Sequence, residues 1–225
     1  SFLFGVSGSL DIGVFAQAAS SQAPLAIAGV VLILIAFFLK AAIFPFHTWA
    51  PDAYEAATVP VTGFMATIVK AGVLLVVVRL FGDAQVQGYL VGLIAVLPLI
   101  SIVWGNLTAM RQASFRRMIA YSSIAHAGYL FYAFLGAPET RYEAVLFYAI
   151  AYGSTSLLAF AAMPNSDEDS ARDRIDNLQG LFHRQPYAAI MISIAMLSLA
   201  GIPPFPGFIG KFLIFKNVIA SGFTV

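Results

Sequence analysis

The stretch Leu32–Val61, LILIAFFLKAAIFPFHTWAPDAYEAATVPV, constrains the chain more than any other. Lys40 sits inside a strongly apolar run, and Pro45 interrupts any helix that the run forms. The whole segment from Ala23 to Ala57 is too long for one straight membrane crossing. As a helix rising ~1.5 Å per residue it reaches roughly 50 Å, against a hydrocarbon core of ~30 Å. A broken helix with a charge near its middle is an unusual element to place in a bilayer, and the combination points to transport.

The composition supports a membrane reading. Of the 225 residues 60% are hydrophobic and 10% charged, with a mean hydropathy of +0.86, whereas soluble domains carry ~25% charged residues. A net charge of +1 implies no nucleic-acid or other polyanionic partner. The absence of cysteine excludes disulfides and thiolate iron–sulfur ligation. No signal-peptide start is visible, and the opening SFLFGVSGSLDIG is too short to span, so the chain reads as an internal piece of a longer polytopic protein.

Six apolar segments follow from hydropathy and helix breakers: Ala23–Ala57, Pro60–Phe81, Gln87–Met110, Phe115–Gly136, Tyr142–Met163 and Tyr187–Ala220. The sixth is overlong like the first and is interrupted by GIPPFPG at Gly201–Gly207. Only helices suit these spans, because open strands leave backbone groups unsatisfied in lipid, and the short alternating segments of a membrane barrel are missing. Arg111, Arg116 and Arg117 follow the third span, and Arg172, Arg174 and Arg184 follow the fifth. Arg79, Arg141 and Lys216 belong to the other side. The positive-inside rule then puts the loops after the first, third and fifth spans in the cytoplasm. Pro164–Gln185 mixes both signs and reads as a solvated connector, with a short surface helix over Ser170–Leu181, and not as a site.

Lys40 and Lys70 lie far from the ends of apolar runs. A lysine at a bilayer centre costs roughly 2.5–3.5 kcal/mol on insertion scales, so each needs a partner, a water-filled cavity or a readily exchanged proton. Low dielectric and neighbouring cations disfavour a charged ammonium, which is how a buried lysine comes to take up and release protons near neutral pH. Snorkelling to the interface accounts for Arg79 and Lys216 near helix ends, and poorly for Lys40 and Lys70. Lys211 follows the break marked by Pro203, Pro204 and Pro206, as Lys40 accompanies Pro45, so the two overlong segments look like corresponding parts of two repeats. Counting spans gives them opposite orientations, as inverted repeats require. A broken helix is tolerable at depth only where its freed backbone is buried in protein or faces water; prolines that merely kink packed helices are the other reading. His126 lies well inside a span and can bridge protons between Lys70 and Lys211, or be a satisfied structural histidine. Tyr121, Ser122 and Ser123, about a turn earlier, can hydrogen-bond water, and His47 can act at the mouth of the first break. No phosphate-binding loop, dinucleotide fingerprint or zinc motif is present, so no nucleotide, metal or covalent nucleophile is expected.

Three motifs carry a family resemblance: FFLKAAIFPFHTWAPDAYEAATVPVTGFMATIVK, GNLTAMRQASFRRMIAYSSIAHAGY and LSLAGIPPFPGFIGKF. Together they resemble the antiporter-like membrane subunits of respiratory complex I, the NADH–quinone oxidoreductase, most of all its subunit N in bacteria; the related Mrp-type sodium/proton antiporters are similar too. The resemblance covers Leu32–Phe215. It implies an all-α polytopic fold of two inverted repeats with discontinuous, Pro-broken helices. On that basis residues 1–22 are a partial preceding helix and loop, 23–81 the end of the first repeat, and 82–225 most of the second. It further implies a proton relay through Lys40, Lys70, His126 and Lys211, driven by quinone chemistry elsewhere in the complex. NADH, FMN, iron–sulfur clusters and quinone are then expected in partner subunits and no cofactor in this chain. The implied surroundings are other membrane-arm subunits, internal water and the bacterial inner membrane. The family pairs its first lysine with a glutamate on an earlier helix, which this chain lacks. A stand-alone cation/proton antiporter and a non-transporting structural subunit are the alternatives.

Overall fold

The computed structural model describes residues 2–9, 11–12, 23–81, 88–163 and 173–222. In chain order the helices are α1 (Phe2–Ser7), α2 (Pro24–Ala41), α3 (Trp49–Ala56), α4 (Val59–Phe64), α5 (Lys70–Phe81), α6 (Tyr89–Ala109), α7 (Phe115–Tyr132), α8 (Pro138–Ala161), α9 (Leu181–Arg184), α10 (Pro186–Ala200) and α11 (Pro206–Ala220). A π-helical turn, Met65–Val69, joins α4 to α5 into one continuous span. A 3-10 turn, Ala133–Leu135, extends α7. Among the described residues there is no strand, only an isolated antiparallel bridge between Ser114 and Arg174.

Among the described residues five helical stretches are long and apolar enough to cross a membrane: Pro24–Ala41, Val59–Phe81, Leu90–Ala109, Phe115–Leu135 and Pro138–Ala161. The second to fifth match the expected segments to within a few residues, although the start of the third at Gln87 lies outside the described residues; the first covers only the part of Ala23–Ala57 before the break, and Trp49–Ala56 beyond it is the separate helix α3. The fifth begins a turn before the expected Tyr142, because Pro138 sits at the first helical position, where its missing N–H and fixed φ are an advantage. The sixth segment divides into α10 and α11, each of 15 residues and each too short to span alone.

Both breaks are built the same way. Helix α2 stops when Ala42 takes the left-handed conformation, φ 62° and ψ 43°. The Ala42 N–H donates to the Leu39 carbonyl at 3.3 Å, and the Ile43 N–H to the Phe38 carbonyl at 2.8 Å. These are the paired 5→2 and 6→1 bonds of a Schellman stop. Helix α10 stops at Gly201, φ 83°, with Gly201 N–H donating to the Ser198 carbonyl at 3.0 Å and Ile202 N–H to the Leu197 carbonyl at 3.1 Å. Glycine suits this left-handed position because it lacks the Cβ that collides with the carbonyl there. The Phe44–Pro45 and Pro203–Pro204 peptides are both cis and fall at matching places after the two stops.

This shared geometry fixes a register in which Ala42-Ile43-Phe44-Pro45-Phe46 matches Gly201-Ile202-Pro203-Pro204-Phe205. In it Lys40 falls opposite Leu199, and Lys211 opposite Asp52. The expected correspondence between Lys40 and Lys211 is therefore corrected. Lys40 ends the helix before its break, whereas Lys211 lies in the helix after its break.

The buried apolar side chains form two clusters. One gathers Phe38, Val77, Leu130, Phe131, Tyr148 and Ile214. The other gathers Tyr54, Ile119, Ile124, Tyr152, Phe160 and Leu199. Helix α7 is the most enclosed span, with 78% of its apolar window buried, so the polar residues on it sit deep in protein.

The connector departs from expectation. Ser170 and Arg172 lie outside the described residues; from Asp173 onward the chain forms a 3-10 turn, Ile175–Leu178, and then α9. Asp173 is only 5% exposed, so this loop is no purely solvated tether. Its carboxylate accepts hydrogen bonds from the Arg116 backbone N–H at 2.9 Å and from the Ser114 hydroxyl, the N-cap of α7. Arg116, expected in a loop, is buried and donates to the Ala57 carbonyl at 2.8 Å, while Arg117 pairs with Asp52 and Glu55 at 2.7 and 2.8 Å. Arg141, also expected at a water-facing end, is 1% exposed. It donates to the carbonyls of Phe81, Phe134 and Gly136 at 2.9, 3.1 and 2.8 Å, capping the C-termini of two helical stretches.

Candidate functional site

A polar seam runs between the two apolar clusters, and its first member is Lys70. The π turn Met65–Val69 delivers this residue to the start of α5, and π turns inside α-helices concentrate at functional positions. Lys70 is 5% exposed. Its Nζ donates to the Ser123 carbonyl at 2.7 Å and to the Ser123 hydroxyl at 2.8 Å, across to α7. The Ser123 hydroxyl in turn donates to the Ala120 carbonyl at 2.7 Å.

His126 follows Ser123 by one turn of α7 and is 4% exposed. Its Nδ1 shares a 2.5 Å hydrogen bond with the Tyr148 hydroxyl, and its ring stacks on Tyr152 with centroids 4.8 Å apart. Both tyrosines project from α8, spaced i and i+4 so that they share a face. On its other side the Tyr129 ring stands between His126 and Lys211, its centroid 6.2 Å from the imidazole and 5.0 Å from the Lys211 Nζ.

Lys211 closes the seam at the second break. Its Nζ donates to the Leu199 carbonyl at 2.8 Å and the Ala200 carbonyl at 3.2 Å, and lies 5.0 Å from the centroid of the Tyr129 ring. The two carbonyls end α10, where backbone acceptors have no helical donor and carry the negative end of the helix dipole. Close to them, the Ser198 hydroxyl accepts from Gly207 N–H at 3.2 Å and meets Thr155 Oγ1 at 3.1 Å. Gly210 packs directly against the Tyr148 ring, a place where a Cβ would collide.

The chemistry of these contacts is uniform. Among the described residues neither Lys70 nor Lys211 has an ion pair; each is held by neutral oxygens. A carboxylate partner strongly favours the ammonium form. A neutral carbonyl or hydroxyl accepts from an ammonium or an amine and favours the ammonium less than a carboxylate does, so it holds the side chain while leaving the proton more readily exchanged. No group of His, Asp or Glu suited to a metal ion occurs among the described residues.

The structure thus brings Lys70, Ser123, His126 and Lys211 together. Lys40 stands apart: it is exposed on the last turn of α2 and has no hydrogen bond or ion pair to any described residue. His47 is buried within the first break, stacked on Phe44 at 5.4 Å and edge-on to Trp104 at 6.5 Å. Its Nδ1 has no hydrogen-bond partner among the described residues. Pro45, Pro203 and Pro204 build the breaks, and Pro206 opens α11. Tyr121 and Ser122 are half-buried and make no hydrogen bond through their side chains to described residues. Sequence reasoning missed Tyr148, Tyr152 and Tyr129. The signal was present as Tyr148-Tyr152-Ser156, a polar stripe repeating every four residues in an apolar helix.

Known proteins are similar to this chain in sequence and fold. NADH-quinone oxidoreductase subunit N of Pelobacter propionicus is 48% identical over 223 residues, 99% of this chain and 48% of that protein. A chain of respiratory complex I from Thermus thermophilus superposes with a TM-score of 0.84 at 36% identity, covering 99% of this chain and 48% of that one. A chain of the Mrp complex from Dietzia superposes with a TM-score of 0.80 at 25% identity, covering 98% and 41%. The chain spans about half the length of the curated relatives it matches. Its whole length, residues 1–225, matches the transmembrane NADH:quinone oxidoreductase/Mrp antiporter model, and the chain belongs to that family.

Proposed function

We propose that this chain is the proton-carrying part of a membrane subunit of an NADH–quinone oxidoreductase. The observation that carries the reading is the pair of lysines, Lys70 buried and Lys211 half-buried, held by neutral oxygens on either side of His126. Protons pass along this seam. When Lys70 gains a proton, its charge disfavours protonation of His126, and a proton on His126 or Lys211 acts back on Lys70 in the same way. The energy comes from quinone redox chemistry elsewhere in the assembly. NADH, FMN, iron–sulfur clusters and quinone belong to partner subunits, and the other membrane-arm subunits are this chain's neighbours. Lys40 is the outer end of the relay, presented to a group that this chain does not contribute. Residues 23–81 close one repeat and residues 82–225 make most of a second, inverted one. The protein resides in a bacterial inner membrane. There the arginine-rich ends around Arg116, Arg117 and Arg174 face the cytoplasm.

The test uses the full-length subunit in its native membrane. It is expected to co-purify with flavin- and iron–sulfur-bearing partners, and vesicles carrying the complex are expected to translocate protons with NADH and quinone in sodium-free buffer. Sodium-dependent proton exchange by the isolated subunit, with no redox partners retained, would overturn the reading in favour of a stand-alone antiporter.

A further inference from the structure

His126 serves a relay only if the ring nitrogen that takes a proton and the one that carries it are defined. One of the two is already committed. Nδ1 lies 2.5 Å from the Tyr148 hydroxyl, and both residues are enclosed, at 4% and 0% exposure. That hydroxyl has no other hydrogen-bond partner among the described residues. A bond between an imidazole nitrogen and a phenol can run in either direction, and acid–base strength decides which. A phenol loses its proton at about pH 10, far more readily than a neutral imidazole loses its N–H. A bare imidazole nitrogen takes up a proton near neutral pH, whereas a phenol oxygen is a far weaker base. The stronger donor and the stronger acceptor therefore meet, with Tyr148 O–H donating to Nδ1. The hydrogen of neutral His126 is then left on Nε2. Packing preserves this pose. Tyr152 stacks on the imidazole with 30° between the ring planes, and the Tyr129 ring stands edge-on to it. Gly210 on α11 packs against the Tyr148 ring so closely that a Cβ there would collide. The phenol has little room to swing away from Nδ1.

We propose that Tyr148 is a positioning residue that fixes neutral His126 as its Nε2–H tautomer and controls when the ring becomes charged. The inference deepens the proposed function and rests on it. In the neutral ring Nε2 offers a hydrogen, and Nδ1, the one bare nitrogen, is occupied by the phenol. Charging His126 therefore requires this bond to reverse. Nδ1 gains the incoming proton and donates to the Tyr148 oxygen, while the phenol keeps its own hydrogen, turned aside.

The experiment reads both ring nitrogens of His126 by NMR in the full-length subunit, held in lipid nanodiscs at mildly alkaline pH with isotope-labelled histidine. Subtracting the spectrum of His126→Gln assigns the resonances. Vesicles carrying the assembled complex, driven with NADH and quinone, report proton translocation for Tyr148→Phe, Tyr132→Phe and Lys70→Ala. The wild-type ring is expected to show Nε2–H beside a bare Nδ1 shifted by the hydrogen bond it accepts. Tyr148→Phe keeps the aromatic ring and removes the hydroxyl. The Nδ1 shift is expected to vanish, an Nδ1–H population to appear, and translocation to fall by about tenfold to a hundredfold. Tyr132→Phe removes a buried, unpartnered hydroxyl elsewhere in the same apolar cluster and is expected to leave both readouts unchanged. An Nδ1–H or doubly protonated ring in the wild type, or wild-type nitrogen resonances in Tyr148→Phe, overturns the inference. Normal translocation in Tyr148→Phe beside an inactive Lys70→Ala also overturns it and leaves the proposed function standing. Normal translocation in Lys70→Ala overturns the proposed function itself.

Discussion

Replacing Asp173 with alanine tests how the connector is bound to the membrane helices. The Asp173 carboxylate accepts from Arg116 N–H at 2.9 Å and from the Ser114 hydroxyl, and its Oδ1 lies 3.1 Å from Arg116 Nε. The Nε contact lacks hydrogen-bond alignment, so it is ionic rather than directional. Both side chains are enclosed, at 9% and 7% exposure. Removing one partner of such a pair leaves a buried guanidinium uncompensated, at a cost of about 3–5 kcal/mol. The Arg174–Asp176 pair has similar length, 2.9 Å, but exposures of 61% and 70%, and is worth about 0–1 kcal/mol. For a subunit about twice the length of this chain each kcal/mol moves the thermal midpoint by roughly 1–2 °C. The Asp173→Ala midpoint is then expected to drop by about 3–10 °C. Asp176→Ala is expected to drop by no more than about 2 °C. Helix loss on heating the full-length subunit in detergent, followed by circular dichroism, reads both. The double change Arg116→Met with Asp173→Leu is expected to recover most of the deficit, since apolar replacement of both charges leaves neither unpaired. Equal small shifts for Asp173→Ala and Asp176→Ala would refute the reasoning.

Other substitutions probe the seam and its supports. Gly210→Ala drives a Cβ into the Tyr148 ring; overpacking of this kind costs about 1–3 kcal/mol. Because Tyr148 holds His126, proton translocation is expected to fall more than subunit abundance does. Arg141→Met strips the donor from the carbonyls of Phe81, Phe134 and Gly136, at about 1–3 kcal/mol for each group left unpaired. Immunoblotting of membranes is expected to show little accumulated subunit. Ser123→Ala removes the hydroxyl contact to Lys70 at 2.8 Å but leaves the carbonyl contact at 2.7 Å. Translocation assayed in vesicles is expected to weaken without being abolished.

Much of this architecture was legible in the sequence because lipid imposes few options. Apolar runs of spanning length must be helices, and Pro45 and Pro203–Pro206 mark where the two overlong ones break. Lys70, His126, Ser123 and Lys211 stood out because charge and polarity are expensive at depth. What the pattern concealed was three-dimensional partnership. Arg141 and Asp173 look like ordinary loop residues, and only packing reveals that one caps buried helix ends while the other neutralises Arg116. Lys40 and Lys211 look equivalent by distance from a proline, yet the backbone register around Ala42 and Gly201 places them on opposite sides of their breaks. Tyr148 and Tyr152 carry no charge to mark them within an apolar helix, although their spacing with Ser156 makes a polar stripe.

If protons cross through Lys70, replacing that residue is the most telling experiment. In vesicles carrying the assembled complex, Lys70→Ala in the full-length subunit is scored for proton translocation per NADH oxidised. A complex that assembles normally but translocates fewer protons per NADH is the predicted result. An unchanged ratio, with the variant subunit present at full occupancy, would contradict the account.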